Sequence, residues 1–346
     1  MRITQIMLGK GFGGAERSFV DTARALAERG HRVQAICHEQ FSRRDLLEGV
    51  PGLEVSPVRT GSEYDLLAPR KIARLLRGFG SEVVHTHLKR AAWHGGRAAH
   101  MAGVPVVAKL HNYVQLNRYH YVNRLIATTP DQKRHALSLG WPAERLSVIP
   151  NFSRVPPAES ARRPGTTPLR LLSYGRFVEK KGFEVLLKAV KQLVEKGLDV
   201  RLRLGGGGPL AKKLSAQAQQ LGIADRVEIG VWIEDVAAAL DESDLFVLPS
   251  LDEPFGIVII EAMARGVPIV TTRTKGPEQV LSDDSAWFVE IGSVDSLAEG
   301  IRRAAEEAET SREKAEKALA LYREKYHEST VIPQLEALYR ELASKE

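Results

Sequence analysis

Short runs of uniformly apolar residues alternate with longer amphipathic stretches along the whole chain. In the first half the apolar runs fall at 3–8, 32–37, 50–58, 82–85, 106–110, 122–128 and 146–149. In the second half they fall at 169–174, 200–204, 227–233, 245–248, 267–271 and 286–289. Between them apolar residues recur at helical spacing, as in 66–77, 89–101, 130–139, 293–308, 311–326 and 331–345. Unbroken apolar runs separated by helices predict parallel strands buried on both faces, the pattern of an α/β fold. Residues 153–168 are proline-rich, polar and aperiodic, and predict a linker. It divides the chain into a domain over 1–152 and a second over 169–330. The length of 346 residues suits two domains of ordinary size.

One helix breaks the amphipathic rule. It is expected to start near Phe255-Gly256 and is apolar on nearly every side, through Ile257, Val258, Ile259, Ile260, Ala262, Met263 and Ala264. A helix apolar all round is a buried helix. Arg265-Gly266 ends it, and a single carboxylate, Glu261, sits in its middle. A buried carboxylate costs several kcal/mol unless it is paired or hydrogen-bonded. Glu261 is thus expected either to pair with a core arginine or to bind a ligand. Glu253, eight residues earlier, falls at the helix N-terminus, where it either caps the helix or faces a ligand.

Other segments carry candidate chemistry. Gly13-Gly14-Ala15-Glu16 follows the first strand, but the glycine spacing from Gly9 to Gly14 is not the dinucleotide fingerprint. This argues against a nicotinamide-dependent oxidoreductase. Glycines there let backbone N–H groups approach an anion, or serve a plain tight turn, and Glu16 suits the start of a helix. His85, His87 and His111 stand at the carboxyl ends of predicted strands, where α/β sheets bind ligands. Their spacing is a poor metal pattern without an acidic ligand, and no D-x-D pair occurs in the chain, so no metal is implied. Gly175-Arg176 and Lys181-Gly182 flank a basic loop, with Lys180 the alternative to Lys181. Val231 and Trp232 are candidates to cover a base, with a core role open for Trp232.

The stretch 248–278 resembles the signature of retaining GT-B glycosyltransferases of family 4. In it Glu253, Phe255-Gly256, Glu261-Ala262-Met263, Gly266 and Pro268 follow the family's spacing. Gly13-Gly14-Ala15-Glu16 is similar to that family's G-G-x-E loop, and Arg176 with Lys181-Gly182 to its G-R-x-x-x-x-K-G motif. Pro150-Asn151 resembles a further motif, with Phe152 where glycine is usual. The resemblance implies two Rossmann-like doubly wound domains facing an interdomain cleft, with the terminal helix, about 331–346, packing back on the first domain. It implies a nucleotide-sugar donor, UDP-sugar favoured, and transfer with retention. Glu261 would hold the ribose hydroxyls, Glu253 the donor sugar, and the backbone at Phe255, Gly256, Ile257 and Val258 the diphosphate or sugar. Arg176 and Lys181 would clamp the diphosphate. Gly13, Gly14, Gly208 and Val231 would lie by the donor, and His111 close to its sugar. Glu16, His87, Lys89 and Arg90 are candidates on the acceptor side. No cofactor is implied.

Composition and charge refine the partners. With 43% hydrophobic and 27% charged residues the chain is an ordinary globular protein, and one cysteine, Cys37, fits a reducing compartment. No apolar run is long enough to span a bilayer, and the first eight residues make no signal peptide, so a cytoplasmic location is expected. Residues 1–160 hold 23 Lys and Arg against 13 Asp and Glu, whereas the remainder holds 26 against 30. The basic first half, with Arg70, Lys71, Arg74, Arg77, Lys89, Arg90, Arg97 and Arg118, predicts an anionic glycan or lipid-linked acceptor, such as a lipopolysaccharide core, and peripheral contact with the inner face of a membrane. A soluble acceptor is the alternative. Basic clusters without interleaved exposed aromatics speak against nucleic acid. A sugar-nucleotide 2-epimerase of the same fold and a non-catalytic sugar-nucleotide binder are rival functions.

Overall fold

A computed structural model describes residues 1–344 apart from Glu63 and Thr166. Thr166 of the expected linker, and Lys345 and Glu346 of the expected terminal helix, lie outside the described residues. The chain divides into two compact units, Met1–Phe152 together with the segment from Glu328, and Ser153–His327.

The first unit contains β1 (Arg2–Met7), α1 (Gly14–Glu28), β2 (Arg32–His38), β3 (Leu53–Val58), α2 (Leu67–Phe79), β4 (Val83–His87), α3 (Leu88–Ala102), β5 (Val106–Lys109), β6 (Arg124–Ala127), α4 (Pro130–Ser138) and β7 (Leu146–Val148). The seven strands are parallel in the order β3-β2-β1-β4-β5-β6-β7. Apolar side chains fill both faces of this sheet, as the uniform strand runs require. The order reverses between β1 and β4, and the carboxyl ends of these strands make the switch point where such sheets bind ligands.

The second unit repeats the plan with β8 (Leu169–Tyr174), α5 (Phe183–Glu195), β9 (Val200–Gly205), α6 (Ala211–Gln220), β10 (Val227–Val231), α7 (Val236–Asp241), β11 (Leu245–Leu248), α8 (Ile257–Ala264), β12 (Ile269–Thr272), α9 (Lys275–Val280), β13 (Trp287–Val289), α10 (Val294–Glu306) and α11 (Ala308–Leu321). Its sheet runs β10-β9-β8-β11-β12-β13, all parallel, with the switch point between β8 and β11.

Several boundaries differ from expectation for local reasons. The run expected from residue 50 becomes a strand only at Leu53, because Gly52 turns with φ +79°. The helix expected over 311–326 ends as α11 at Leu321 and continues as a π-helical turn, Tyr322–Tyr326. The stretch read as a linker is strapped to the second unit. Ala158 N–H donates to Ala264 O (2.7 Å) and Arg162 N–H to Gly266 O (2.8 Å), while the Tyr322 hydroxyl reaches the carbonyls of Ser153 and Val155.

The last helix, α12 (Glu328–Ala343), belongs to the first unit. Val331, Ile332, Leu335 and Tyr339 enter the core that α1 and β1 share. Arg29 forks onto Glu336 at 2.6 and 3.0 Å, and His31 Nε2 lies 3.0 Å from the same carboxylate.

Candidate functional site

The switch point of the second unit gathers the residues of the basic loop and the apolar helix. β8 ends at Tyr174, and Gly175-Arg176 leave the sheet there. The chain then turns through Glu179–Lys181 and Gly182 into α5. Gly182 has φ +67°, and a Cβ on it would meet the Pro249 carbonyl oxygen at 2.0 Å. Only glycine fits, so the loop after β8 lies directly against the loop after β11. The N–H groups of Leu251 and Asp252 donate to Lys180 O at 2.7 and 3.2 Å and fasten the two loops together.

This contact aims Lys181 at Glu253. The ammonium donates to Glu253 Oε2, and Ser250 Oγ donates to the same oxygen at 3.3 Å. Glu253 is buried, and Gly276 N–H holds its carbonyl at 2.8 Å. The capping alternative for Glu253 is therefore corrected: no side chain caps α8, which begins after Gly256 in a left-handed turn. The first-turn N–H groups of α8, at Ile257 and Val258, suit an anion. Phe255 buries its ring against Tyr326, centroids 6.1 Å apart, so only its backbone can serve a ligand.

Glu261 is buried on α8, and the Tyr174 hydroxyl donates to its Oε2 at 2.7 Å. A tyrosine thus holds the carboxylate, a partner the sequence reading did not foresee. Arg176 is exposed, and its guanidinium has no side-chain partner among the described residues. After β9, Gly208 lies with φ +150° against Phe177, whose backbone a Cβ would meet at 2.7 to 2.9 Å. Val231 ends β10 partly exposed, and Trp232 is 52% exposed, which corrects the core role left open for it. A half-exposed indole at a strand end suits stacking on a planar group.

The first unit presents its own cluster at its switch point. Gly13 precedes α1, and its N–H donates to Glu16 Oε2 at 3.1 Å, so Glu16 closes on its own helix start. His85 and His87 are fully buried on β4, their rings stacked 4.4 Å apart, and His87 Nδ1 lies 3.2 Å from His111 Nε2. Among the described residues no three of His, Cys, Asp and Glu come together in a metal-binding arrangement. The histidine nitrogens turn instead to Gln5 and Tyr339, at 2.8 Å from His87 and 2.6 Å from His85. Lys109, buried at the end of β5, reaches only Ser18 Oγ among the described residues, at 3.4 Å, and burial lowers its pKa to about 7. Burial, with Lys109 adding to it, lowers that of His111 to about 3, so the imidazole is neutral. Lys89 and Arg90 are exposed in the first turn of α3.

Gln5, Lys109, Tyr174, Ser250 and Tyr339 escaped the sequence reading. Tyr174 alone carried a usable signal, since it ends a strand immediately before Gly175-Arg176.

Known proteins resemble the chain over its full extent. Residues 12–153 match the family model described as Glycosyltransferase Family 4, and residues 159–320 that described as Glycosyl transferases group 1. The lipopolysaccharide core biosynthesis glycosyltransferase LpsE of Rhizobium meliloti (strain 1021) is 33% identical over 310 residues, with 88% of each chain covered. LpsD of the same organism, described in the same terms, is 33% identical over 309 residues, again with 88% of each chain covered. Among solved structures, Anabaena HepE in complex with UDP and glucose superposes with a TM-score of 0.83 at 22% identity, covering 99% of this chain and all of the other.

Proposed function

This chain belongs to the GT-B glycosyltransferases of the family 4 type, and we propose that it moves a hexose-like sugar from a UDP-sugar to a hydroxyl of a cell-envelope glycan, with retention at the anomeric carbon. The observation that carries the donor half is the convergence of Lys181, Glu253, Arg176 and the tyrosine-held Glu261 on one switch point. Glu261 offers a fixed carboxyl acceptor for paired ribose hydroxyls. Arg176 forks onto phosphate oxygens, and Lys181 and the N-terminus of α8 add positive potential where the diphosphate leaves. The bond from the anomeric carbon to the phosphate oxygen breaks and UDP departs. The acceptor oxygen bonds that carbon on the same face, and its proton passes to the departing phosphate. Glu253, steadied by Lys181 and Ser250, stabilises the positive charge on the sugar ring. Of the solved structures of this fold, HepE was crystallised with UDP and glucose, which favours uridine as the base.

A thermal-shift panel of UDP-, GDP- and ADP-sugars, followed by the anomeric configuration of the product, tests this reading. Stabilisation by UDP-sugars and a retained linkage are expected. Stabilisation by GDP-sugars alone, or an inverted product, would overturn it, and epimerisation of the donor without acceptor would favour the epimerase.

The acceptor reading is an anionic lipid-linked glycan met at a membrane surface. LpsE and LpsD are described as lipopolysaccharide core enzymes. No helix among the described residues is long and apolar enough to cross a membrane, so attachment on this reading is peripheral. Tyr64, Leu66 and Leu67 stand 75, 63 and 61% exposed before and at the start of α2. Arg70, Lys71 and Arg74 follow on that helix, exposed and without a salt bridge among the described residues. Apolar tips beside unpaired cations suit insertion among anionic headgroups, each cation adding about 1 kcal/mol. Co-sedimentation with vesicles of anionic and of neutral lipid tests it. Salt-sensitive binding to the anionic vesicles is expected, weakened in a Leu66→Ser/Leu67→Ser variant. No binding at low salt, with good activity on a neutral soluble acceptor, would retire it.

A further inference from the structure

Buried side chains of the first unit form one hydrogen-bonded chain that runs from the last helix to His111. With the Gln5 amide turned nitrogen to Tyr339 and oxygen to His87, the donors and acceptors along it take one arrangement of protons, which the opposite amide orientation would reverse. Gln5 Nε2 can only donate, and it does so to the Tyr339 hydroxyl at 3.3 Å. The phenol oxygen accepts there, so its one proton points to His85 Nδ1, 2.6 Å away. With its amide nitrogen engaged, Gln5 turns Oε1 to His87 Nε2 at 2.8 Å. An amide oxygen only accepts, and His87 therefore carries its proton on Nε2. Burial keeps His87 neutral, so its Nδ1 is bare and accepts from His111 Nε2 at 3.2 Å. The last ring is left with an unprotonated Nδ1 that has no partner among the described residues.

Two features mark the surroundings of this chain as strained. His85 Nε2, which must bear the proton that Nδ1 lacks, is buried with no hydrogen-bond partner. Leu88, directly after His87, has φ +69° and is the one non-glycine residue in the left-handed region among the described residues. Phe19 closes the edge of His87 at 5.6 Å, so the ring cannot turn to another partner without repacking.

We infer that Tyr339, acting through Gln5 and His87, is a positioning residue that sets the tautomer of His111, so that His111 meets its ligand as a hydrogen-bond acceptor for a sugar hydroxyl. The acceptor role rests on the reading that His111 contacts the donor sugar; the tautomer does not. A bare imidazole nitrogen repels phosphate oxygens and other acceptors, so the same device biases His111 toward the hydroxyl-bearing part of the donor. It also makes the carboxy-terminal helix, 228 residues beyond His111 at Tyr339, a determinant of the site.

Long-range proton–nitrogen correlation spectra of the full chain report imidazole tautomers directly. His85, His87 and His111 are expected as the Nε2–H form. Tyr339→Phe frees the Gln5 amide to rotate and should bring the Nδ1–H form into His87 and His111. Gln5→Leu should do the same without touching the last helix, which keeps the test decisive if the helix variant folds poorly. A wild-type His111 protonated on Nδ1, or unchanged tautomers of His87 and His111 in both variants, would overturn the relay. Calorimetry with UDP-glucose and UDP supplies the second readout. Both variants should weaken UDP-glucose roughly three- to tenfold and leave UDP unchanged. If the tautomers respond while UDP-glucose binding stays fixed, in these variants and in His111→Ala, the relay stands and the contact of His111 with the donor sugar is refuted.

Discussion

The Lys181 ammonium donates to the Glu253 carboxylate across 72 residues of sequence and joins the loops that follow β8 and β11. Both side chains are largely withdrawn from water, and Ser250 completes the carboxylate's shell. On the proposed reaction the pair would be more than a brace, because its ammonium and carboxylate would each serve one end of the breaking bond.

Lys181→Ala is expected to lower kcat by about a hundredfold or more and to raise the donor KM much less, since its charge matters most as the diphosphate leaves. The variant also strands Glu253 in a buried site, so the double variant with Glu253→Ala should lose less than the sum of the two. Equal turnover with only weaker donor binding would refute the transition-state role.

Glu261→Ala should weaken sugar-nucleotide binding by roughly 1.5–3 kcal/mol for each charge-assisted bond lost. Tyr174→Phe keeps the carboxylate but releases the oxygen that the phenol holds at 2.7 Å. Its cost to donor binding should be nearer 1 kcal/mol. Titration of each variant with donor measures both, and an unchanged dissociation constant in Glu261→Ala would remove the ribose assignment.

Activity should persist in excess EDTA. The chain has no D-x-D pair, and Arg176, Lys181 and the first turn of α8 supply positive charge for the phosphates. Loss on chelation, with recovery on adding magnesium or manganese, would count against this.

The alternation of apolar runs and helices was legible because strands buried on both faces need uniform apolar sequence, and both parallel sheets follow from it. The solitary Glu261 was legible for the same reason, being polar where every neighbour is apolar. Its partner was not, since Tyr174 lies 87 residues away and pairs only once the sheet sets β8 beside β11. Gln5 and Tyr339 are 334 residues apart, and no periodicity links them. The stretch 153–168 read as a linker because the bonds of Ala158 and Arg162 to Ala264 and Gly266 are backbone to backbone and leave no side-chain pattern. Trp232 shows the converse failure: its size suggests burial, yet the end of β10 leaves it in solvent.

Glu336 should make the first unit acid-sensitive. Hydrogen bonds from Arg29, and secondarily from His31, hold its carboxyl at about 2 against an ordinary 4.5. A carboxylate depressed by folding stabilises the fold fully above its unfolded value, and that contribution is lost as the pH falls from about 4.5 toward 2. Arg29 is nearly half exposed, so water screens part of the interaction. Glu336→Gln should therefore unfold more readily than the wild type at pH 7, with the gap closing by about pH 2. Denaturant melts across that range check it, and a gap independent of pH would show that packing alone docks α12.

Lys109 should act in the opposite sense. Its ammonium is buried with no carboxylate in reach among the described residues, and desolvation lowers its pKa from 10.5 to about 7. Below about pH 7 the proton is bound in both the folded and the unfolded chain, and the folded state bears the full cost of a buried charge. Between about pH 7 and 10.5 the unfolded chain binds more protons than the folded one, so stability rises with pH across that window. Each unit of depression corresponds to about 1.4 kcal/mol, and relaxation around a buried ammonium trims the total to a few kcal/mol. Lys109→Met keeps the length of the side chain and removes the charge. It should melt at a higher temperature than the wild type at pH 6, with the advantage shrinking through pH 8 and 9 and gone above about 10.5. Thermal melts of the two proteins over this series decide the point. A variant less stable than the wild type at pH 6 would mean that the Ser18 contact and an ionised Lys109 support the fold, and that the lysine is not a buried cost.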